Sequence, residues 1–172
     1  MAKAQVIIVG GGFSGTALAI HLARISAAGL LITVVEPRDQ LGGGVAYSTQ
    51  EPAHRINVPA SRMQLSGEEQ GAFDHWYRQQ PECSLDSAAH CADGSVYPQR
   101  GMLGRYLAEQ FALPAKHYPH VTLRQCQPSA AAWQGDRLRP SHVVTVLGDI
   151  LASALNHQAP PTPRAIQPTA IH

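Results

Sequence analysis

The chain has 172 residues, 44% hydrophobic and 15% charged, which is enough for one domain with a hydrophobic core and short for two. Its formal net charge of +1 gives no reason to expect a nucleic acid or an anionic membrane as a partner. No apolar stretch approaches the roughly 18 residues that span a bilayer. An apolar run follows Met1 almost directly and leaves no room for a signal peptide, so we expect a cytoplasmic protein.

A strand, a glycine turn and a helix are predicted at the start of the chain. Residues 5–9 form a short run that is β-branched and apolar after Gln5, and Gly10, Gly12 and Gly15 follow at G-x-G-x-x-G spacing before a helix predicted over 14–27. In a dinucleotide site the first glycine permits the tight turn and the second lets the backbone approach a pyrophosphate. The third allows the helix to pack closely on the strand.

An acid ends the second predicted strand. Residues 30–35 are nearly all apolar, as expected of a parallel strand buried on both faces, and Glu36 follows 21 positions after Gly15. A carboxylate there can accept both hydroxyl groups of an adenosine ribose and would repel a 2′-phosphate, which argues against NADP. The pattern predicts the βαβ unit of a dinucleotide site, in which the helix start at Phe13 and Ser14 directs free N–H groups at the phosphate. A purely structural glycine turn is the alternative.

Three arginines have two interpretations each. Arg38 follows the acid after Pro37, and its charge partly offsets the argument against NADP, although a guanidinium there can equally stack on adenine. Arg55 and Arg62 would either neutralise a diphosphate or be solvated.

A long loop and a helical insert are predicted after the acid. Residues 37–67 show little periodicity and many turn residues, and a loop of that length is more often functional than idle. The segment 68–80 predicts an amphipathic helix ended by Pro81, and 81–98 is expected to be irregular. We treat 37–67 as a cofactor loop and 68–113 as a helical insert.

The second half of the chain predicts one more helix, over 102–113, and two strands, over 121–126 and 142–147. Four prolines close to the end of the chain indicate an extended or disordered tail. We therefore expect one domain over 1–157 and a flexible tail over 158–172.

Cysteines and histidines predict no metal site. Cys83, Cys91 and Cys126 are an odd, widely spaced set without a C-x-x-C pair. The nine histidines include no H-x-x-x-H pair with a supporting carboxylate.

A second glycine cluster carries a family resemblance. Gly42, Gly43 and Gly44 begin six residues after Glu36, a spacing that resembles the extended fingerprint of glutathione-reductase-like flavoproteins, where a second glycine pair passes close to FAD. A flexible hinge is the alternative. The letters LGGGVAYST, EPAHRINVPASRM and YPQR-GMLGRYL are similar to motifs of the bacterial FAD-NAD(P)-binding protein family, distant relatives of the flavin-dependent N-hydroxylating monooxygenases. The resemblance covers roughly residues 4 to 126.

The resemblance implies a Rossmann-like three-layer α/β domain with a parallel sheet and bound FAD. It implies that Gly43 and Gly44 lie along the cofactor, that Asn57 and its neighbour Val58 approach the flavin, and that the strand end at 125–126 (Gln125 and Cys126) touches the adenine through backbone groups. Members of that family are longer and carry a second nucleotide-binding subdomain. A second G-x-G-x-x-G does not occur in this sequence. We therefore expect a chain truncated relative to the family, with no evident site for NAD(P)H.

Three functions are weighed. The first is the FAD-binding domain of an NAD(P)H-dependent oxidoreductase acting on an unknown small molecule, in which no catalytic residue can be named. The second is a non-catalytic nucleotide-binding or interaction module, whose uncovered sheet would favour a homodimer or a partner chain. The third, a plain NAD-dependent dehydrogenase or epimerase, is disfavoured by the second glycine cluster and by the lack of a Y-x-x-x-K pair.

Overall fold

The computed structural model describes residues 4–67, 69–126 and 142–145. Four parallel strands form one sheet in the order β3-β2-β1-β4, which confirms the predicted Rossmann-like α/β class. The strands are β1 (Ala4–Val9), β2 (Leu30–Val35), β3 (Val121–Cys126) and β4 (His142–Thr145).

Strands β1, β2 and β3 end level with one another. Ala4 lies opposite Leu30, and the pairing runs without a bulge to Val9 opposite Val35; β2 pairs with β3 in the same way. Because parallel strands share their direction, the residues that follow β1 and β2 emerge at the same edge of the sheet. This register places the glycine turn beside the acid.

Helix α1 (Phe13–Ile25) connects β1 to β2 and covers one face of the sheet. It begins one residue before the predicted start and ends two residues before the predicted end, because Ser26 is already extended, with φ −72° and ψ 117°. Its buried residues recur at helical spacing. They are Gly15, Thr16, Ala19, Ile20 and Ala23.

The predicted loop over 37–67 contains two short helical segments and pairs with another segment through backbone hydrogen bonds. The helical segments are α2 (Gly44–Tyr47) and a 3₁₀ turn (Ala60–Arg62). Backbone hydrogen bonds then join the segment 54–60 to the segment 96–100: Ile56 donates to Pro98 at 3.1 Å and Ala60 donates to Val96 at 2.9 Å. The second half of this loop is therefore fixed by residues of the insert.

The insert differs from the prediction at Pro81. Helix α3 (Ala72–Arg78) is shorter than predicted, and Pro81 begins α4 (Pro81–Leu85) rather than ending a helix. A proline suits the first position of a helix because that N–H has no intrahelical partner. A 3₁₀ turn (Ser87–Ala89) follows, so the expectation of an irregular 81–98 was wrong in part.

Helix α5 (Arg100–Ala112) packs the insert against the βαβ unit, and α6 (Pro114–His117) follows it. Ile20 of α1, Phe73 of α3 and Leu107 of α5 are fully buried in one cluster. Burying side chains of this size stabilises the fold by about 1.5–3 kcal/mol each. The insert is thus part of the core.

Two predictions fall partly or wholly outside the described residues. The strand predicted over 142–147 is described for residues 142–145, and the tail predicted over 158–172 lies outside. The strand over 121–126 is confirmed. In the described part of the chain, no helix has the length and apolar character that crossing a membrane requires.

Candidate functional site

The carboxyl edge of the sheet brings together the glycine turn, the acid and the end of β3. The backbone N–H of Gly10 donates to the carbonyl of Val35 at 3.0 Å, and the N–H of Glu36 donates to the carbonyl of Cys126 at 2.9 Å. The first bond extends the pairing of β1 with β2 by one residue, and the second extends the pairing of β2 with β3 by one residue. The turn and the acid are therefore held by the strands themselves.

The glycine turn disfavours a side chain at two positions, at Gly10 because of its backbone conformation and at Gly15 because of close packing. Gly10 has φ 111°, a left-handed conformation that side chains rarely adopt. A Cβ on Gly15 would overlap the carbonyl oxygen of Gly10 and would lie 3.3 Å from the Cγ2 of Ile8. The third glycine of the motif therefore has the helix-to-strand packing role that its spacing predicts.

The start of α1 presents backbone donors beside the turn. Gly12 is the N-cap, no side chain of the described residues caps the helix, and no acidic residue lies in its first turn. Phe13 is half-buried and Ser14 is exposed. Since the first N–H groups of a helix have no intrahelical acceptor and carry the positive end of its dipole, this end suits an anion.

Glu36 is buried at the mouth of the turn. Its side chain is 1% exposed, and its Oε2 accepts the backbone N–H of Gly11 at 2.9 Å. Its Oε1 accepts two donors from Arg38: the backbone N–H at 3.1 Å and Nη1 at 2.9 Å. Charge-assisted hydrogen bonds of this kind stabilise a buried carboxylate. The acid therefore links the end of β2 to the turn after β1.

The second glycine cluster lies on the first. The N–H of Gly42 donates to the carbonyl of Gly11 at 2.7 Å, and a Cβ on Gly12 would lie 3.5 Å from the Cα of Gly44. Gly42 has φ 85°, and a Cβ there would overlap the Cβ of Leu107 in α5. Close packing between the turn and α5 therefore requires a glycine at position 42.

Asn57 and Val58 lie in the second half of the loop over 37–67. Asn57 is exposed and Val58 is half-buried. Among the described residues, no hydrogen bond or ion pair joins Asn57 to the turn or to Glu36. The hydrogen bonds that join the turn, the acid and the end of β3 therefore do not include Asn57.

Arg55 pairs with an acid of the insert, so the interpretation as a solvated side chain was wrong. Its Nη1 and Nη2 donate to the two carboxylate oxygens of Asp86 at 2.9 Å and 2.7 Å, and Nη1 also donates to the carbonyl of Tyr97 at 3.0 Å. The hydrogen bonds from Arg55 hold the pKa of Asp86 below its ordinary value. Arg55 therefore anchors the segment 54–60 to the insert. Arg62 is exposed, as one of its two interpretations had it.

The end of β3 supports the acid and the residues that follow it. The carbonyl of Cys126 accepts the N–H of Glu36, so this backbone group already has a partner. The side chain of Gln125 donates to the carbonyls of Arg38 and Asp39 at 2.7 Å and 3.1 Å. Gln125 thus fixes the residues that follow the acid. No local sequence signal points to this contact, which spans 87 positions.

A cavity of about 650 Å³ lies beside the second glycine cluster. Arg38 and Gly43 line it, together with Tyr47 of α2 and Arg105 of α5. Sequence reasoning missed Arg105, whose Nη1 pairs with Glu82 at 2.9 Å. In the described ranges, no group of three or more His, Cys, Asp or Glu residues is placed to hold a metal ion.

The comparisons with known proteins agree with this arrangement. The model of a family described as FAD-NAD(P)-binding matches residues 7–150, a range that begins in β1 and includes the turn, the acid and both glycine clusters. No curated protein matches the chain.

Proposed function

Since this chain belongs to the FAD-NAD(P)-binding family, we propose that it is the FAD-binding domain of an NAD(P)H-dependent type of oxidoreductase. Membership supports a flavin or a nicotinamide nucleotide as ligand. The choice of FAD is our inference from the residues around the turn.

The observation that carries the proposal is the contact between Glu36 and Gly11. A buried carboxylate 2.9 Å from the backbone of a glycine turn lies beside the uncapped start of a helix. This arrangement suits an adenosine diphosphate, whose ribose donates hydroxyl hydrogens and whose phosphates accept N–H groups. The diphosphate would be held by Gly10, Gly12, Phe13, Ser14 and Gly15, the ribose by Glu36, and the adenine side by Pro37, Arg38, Gln125 and Cys126.

The second glycine cluster favours FAD over NAD, because its position six residues after Glu36 resembles the extended fingerprint of FAD-binding flavoproteins. Gly44 lies against Gly12, so bare backbone continues from the first turn toward Gly43. Asn57 and Val58 would meet the flavin, since an exposed amide supplies both a donor and an acceptor for the ring edge.

FAD, when bound, would supply the redox chemistry by accepting a hydride and returning it. The contribution of this chain is to bind and orient the nucleotide. Glu36, held by the N–H of Gly11, supplies one fixed carboxylate, and the start of α1 supplies the N–H donors. We assign no acid or base to the reaction.

The test is a calorimetric titration of the purified chain with FAD, ADP, FMN, NAD and NADP. We expect FAD and ADP to bind and FMN, which lacks the adenosine, to bind much more weakly. Glu36→Gln keeps the size of the side chain and removes its charge, and we expect FAD affinity to fall roughly tenfold to 100-fold. Glu109→Gln, at an exposed glutamate of α5, is the control. Absence of FAD binding, or equal binding of FMN, would contradict the proposal.

The same purified chain also tests a second function. If FAD binds but neither NADH nor NADPH bleaches its absorbance under anaerobic conditions, the chain is a non-catalytic nucleotide-binding or interaction module. Light scattering would then show whether it forms a homodimer or requires a partner chain. Reduction of the bound flavin by either nucleotide would favour the oxidoreductase.

A further inference from the structure

The side chain of Arg38 covers the carboxylate that the ribose would use. Nη1 of Arg38 lies 2.9 Å from Oε1 of Glu36, and the two side chains are 28% and 1% exposed. The guanidinium of Arg38 therefore lies between the carboxylate of Glu36 and the solvent from which a ligand approaches. A ligand that approaches Oε1 meets this guanidinium.

The carboxylate of Glu36 has too few acceptor positions for its present donors and both hydroxyl groups of a ribose. A carboxylate has about four lone-pair positions. Three donors already use them: the N–H of Gly11 on Oε2, and the N–H and Nη1 of Arg38 on Oε1. A ribose diol brings two hydroxyl donors, and one position remains. Both hydroxyl groups can bind only after one donor leaves.

The guanidinium is the donor that can leave. The N–H of Gly11 belongs to the packed turn, where Gly42 donates to the carbonyl of the same residue. The N–H of Arg38 belongs to a backbone that Gln125 holds through the carbonyls of Arg38 and Asp39. Nη1 is at the end of a flexible side chain, and rotation about its own bonds releases it.

We propose that Arg38 is a specificity-determining residue that competes with the ribose diol for Glu36, so that nucleotide binding displaces its guanidinium. The inference rests on the proposed function, because it needs a ribose at Glu36. In the empty site Arg38 neutralises the buried acid. In the occupied site two neutral hydroxyl groups replace one charged donor, and the lost ion pair lowers the affinity for the nucleotide.

The competition depends on the number of hydroxyl groups. ADP presents the full diol and must displace Nη1. 2′-Deoxy-ADP presents one hydroxyl, which the remaining acceptor position can take without moving Arg38. The intact chain should therefore discriminate weakly between these two ligands. A chain without the guanidinium should discriminate strongly.

The test is calorimetry with ADP and 2′-deoxy-ADP on three variants. Arg38→Met keeps the aliphatic length and removes the charge and its donors; Arg38→Lys keeps a charge on a more flexible amine. Arg78→Met is the control, since Arg78 also pairs with an acid, Asp74, at 2.8 Å, in helix α3. We expect Arg38→Met to bind ADP about three- to tenfold more tightly than the intact chain, as removal of one competing ion pair predicts. The affinity for 2′-deoxy-ADP should change less than about twofold.

The outcomes separate the two levels of inference. Tighter ADP binding by Arg38→Met, with Arg78→Met unchanged, supports the competition; if Arg38→Met does not fold, an intermediate gain in Arg38→Lys supports it. Unchanged or weaker ADP binding by the Arg38 variants, while the intact chain binds ADP, overturns the competition and leaves the proposed function standing. Failure of the intact chain to bind either ADP or FAD overturns both.

Discussion

Gly15 packs directly against Gly10, so closely that a Cβ on Gly15 would overlap the carbonyl oxygen of Gly10. The contact joins the first turn of α1 to the end of β1. The distance between helix and strand is therefore set by the absence of a side chain at one residue. The position of the helix start, and of its N–H groups, depends on the same contact.

The first prediction concerns Gly15→Ala. The new methyl group would meet backbone that cannot move without displacing the helix, so we expect a loss of about 3 kcal/mol or more in the free energy of unfolding. Urea denaturation measures it. Gly67→Ala is the control, because a Cβ there meets no atom within 4 Å, and we expect a change within about 0.5 kcal/mol. Equal effects of the two changes would contradict the packing role.

The second prediction concerns the acid stability that Asp86 provides. The hydrogen bonds from Arg55 hold its pKa below the ordinary value of 3.8, so the folded state releases this proton more readily than the unfolded chain. The resulting stability is present above about pH 4 and is lost as the pH falls below it. We expect Asp86→Asn to lower the free energy of unfolding at neutral pH by about 1–3 kcal/mol and to reduce the acid-dependent loss.

The control for Asp86 is Asp74→Asn. Asp74 pairs with Arg78 one turn along α3, where the arginine side chain is 46% exposed. Such i,i+4 pairs contribute about 0.3–0.5 kcal/mol. Denaturation of both variants from pH 7 to about pH 2 measures how much free energy of unfolding each one loses. The prediction is wrong if Asp74→Asn costs as much as Asp86→Asn.

The third prediction concerns alkaline pH. Tyr77 is fully buried, and its hydroxyl makes no hydrogen bond within the described residues. Burial raises its pKa to about 12. The folded state holds this proton to a higher pH than the unfolded chain, whose tyrosines titrate near 10, so stability falls as the pH rises above about 10.

Tyr77→Phe removes that titration. We expect it to leave the free energy of unfolding at neutral pH unchanged or to raise it by up to about 1 kcal/mol, because an unpaired buried hydroxyl is removed. Above about pH 10 the variant should lose less stability than the intact chain. Part of the loss should remain, since burial raises the pKa of Tyr106 to about 12 as well. Destabilisation by more than about 1 kcal/mol would show that the hydroxyl has a partner.

The fourth prediction separates the two ends of the proposed site. Asn57 is exposed and bonds to no side chain of the described residues, so Asn57→Ala should leave the melting temperature unchanged. We expect FAD affinity to fall roughly tenfold, as the loss of one hydrogen bond predicts, and ADP affinity to stay constant. Gln70→Ala, another exposed amide, is the control. A parallel loss of ADP binding would contradict the assignment of Asn57 to the flavin end.

The βαβ unit could be predicted from sequence because its signals are local. The strand over 30–35 is a nearly all-apolar run bounded by Gly29 and Glu36, and the observed β2 has the same limits. The G-x-G-x-x-G spacing likewise predicted the tight packing at Gly15. Such patterns need no knowledge of the rest of the chain.

The missed features depend on contacts between distant residues. The role of Gln125 depends on the register of β3 against β2, and the place of Gly42 depends on Leu107 in α5. Pro81 was misread because a proline fits both the end of one helix and the start of the next. Arg55 could not be assigned, since nothing near it in sequence indicates Asp86.

Because segment 54–60 pairs with segment 96–100, two different parts of the chain support the proposed site. The sheet edge supports Glu36 and the glycine turn, whereas the insert supports the stretch that carries Asn57. A change in residues 81–98 would therefore shift the stretch that carries Asn57 while Glu36 and the glycine turn keep their own support.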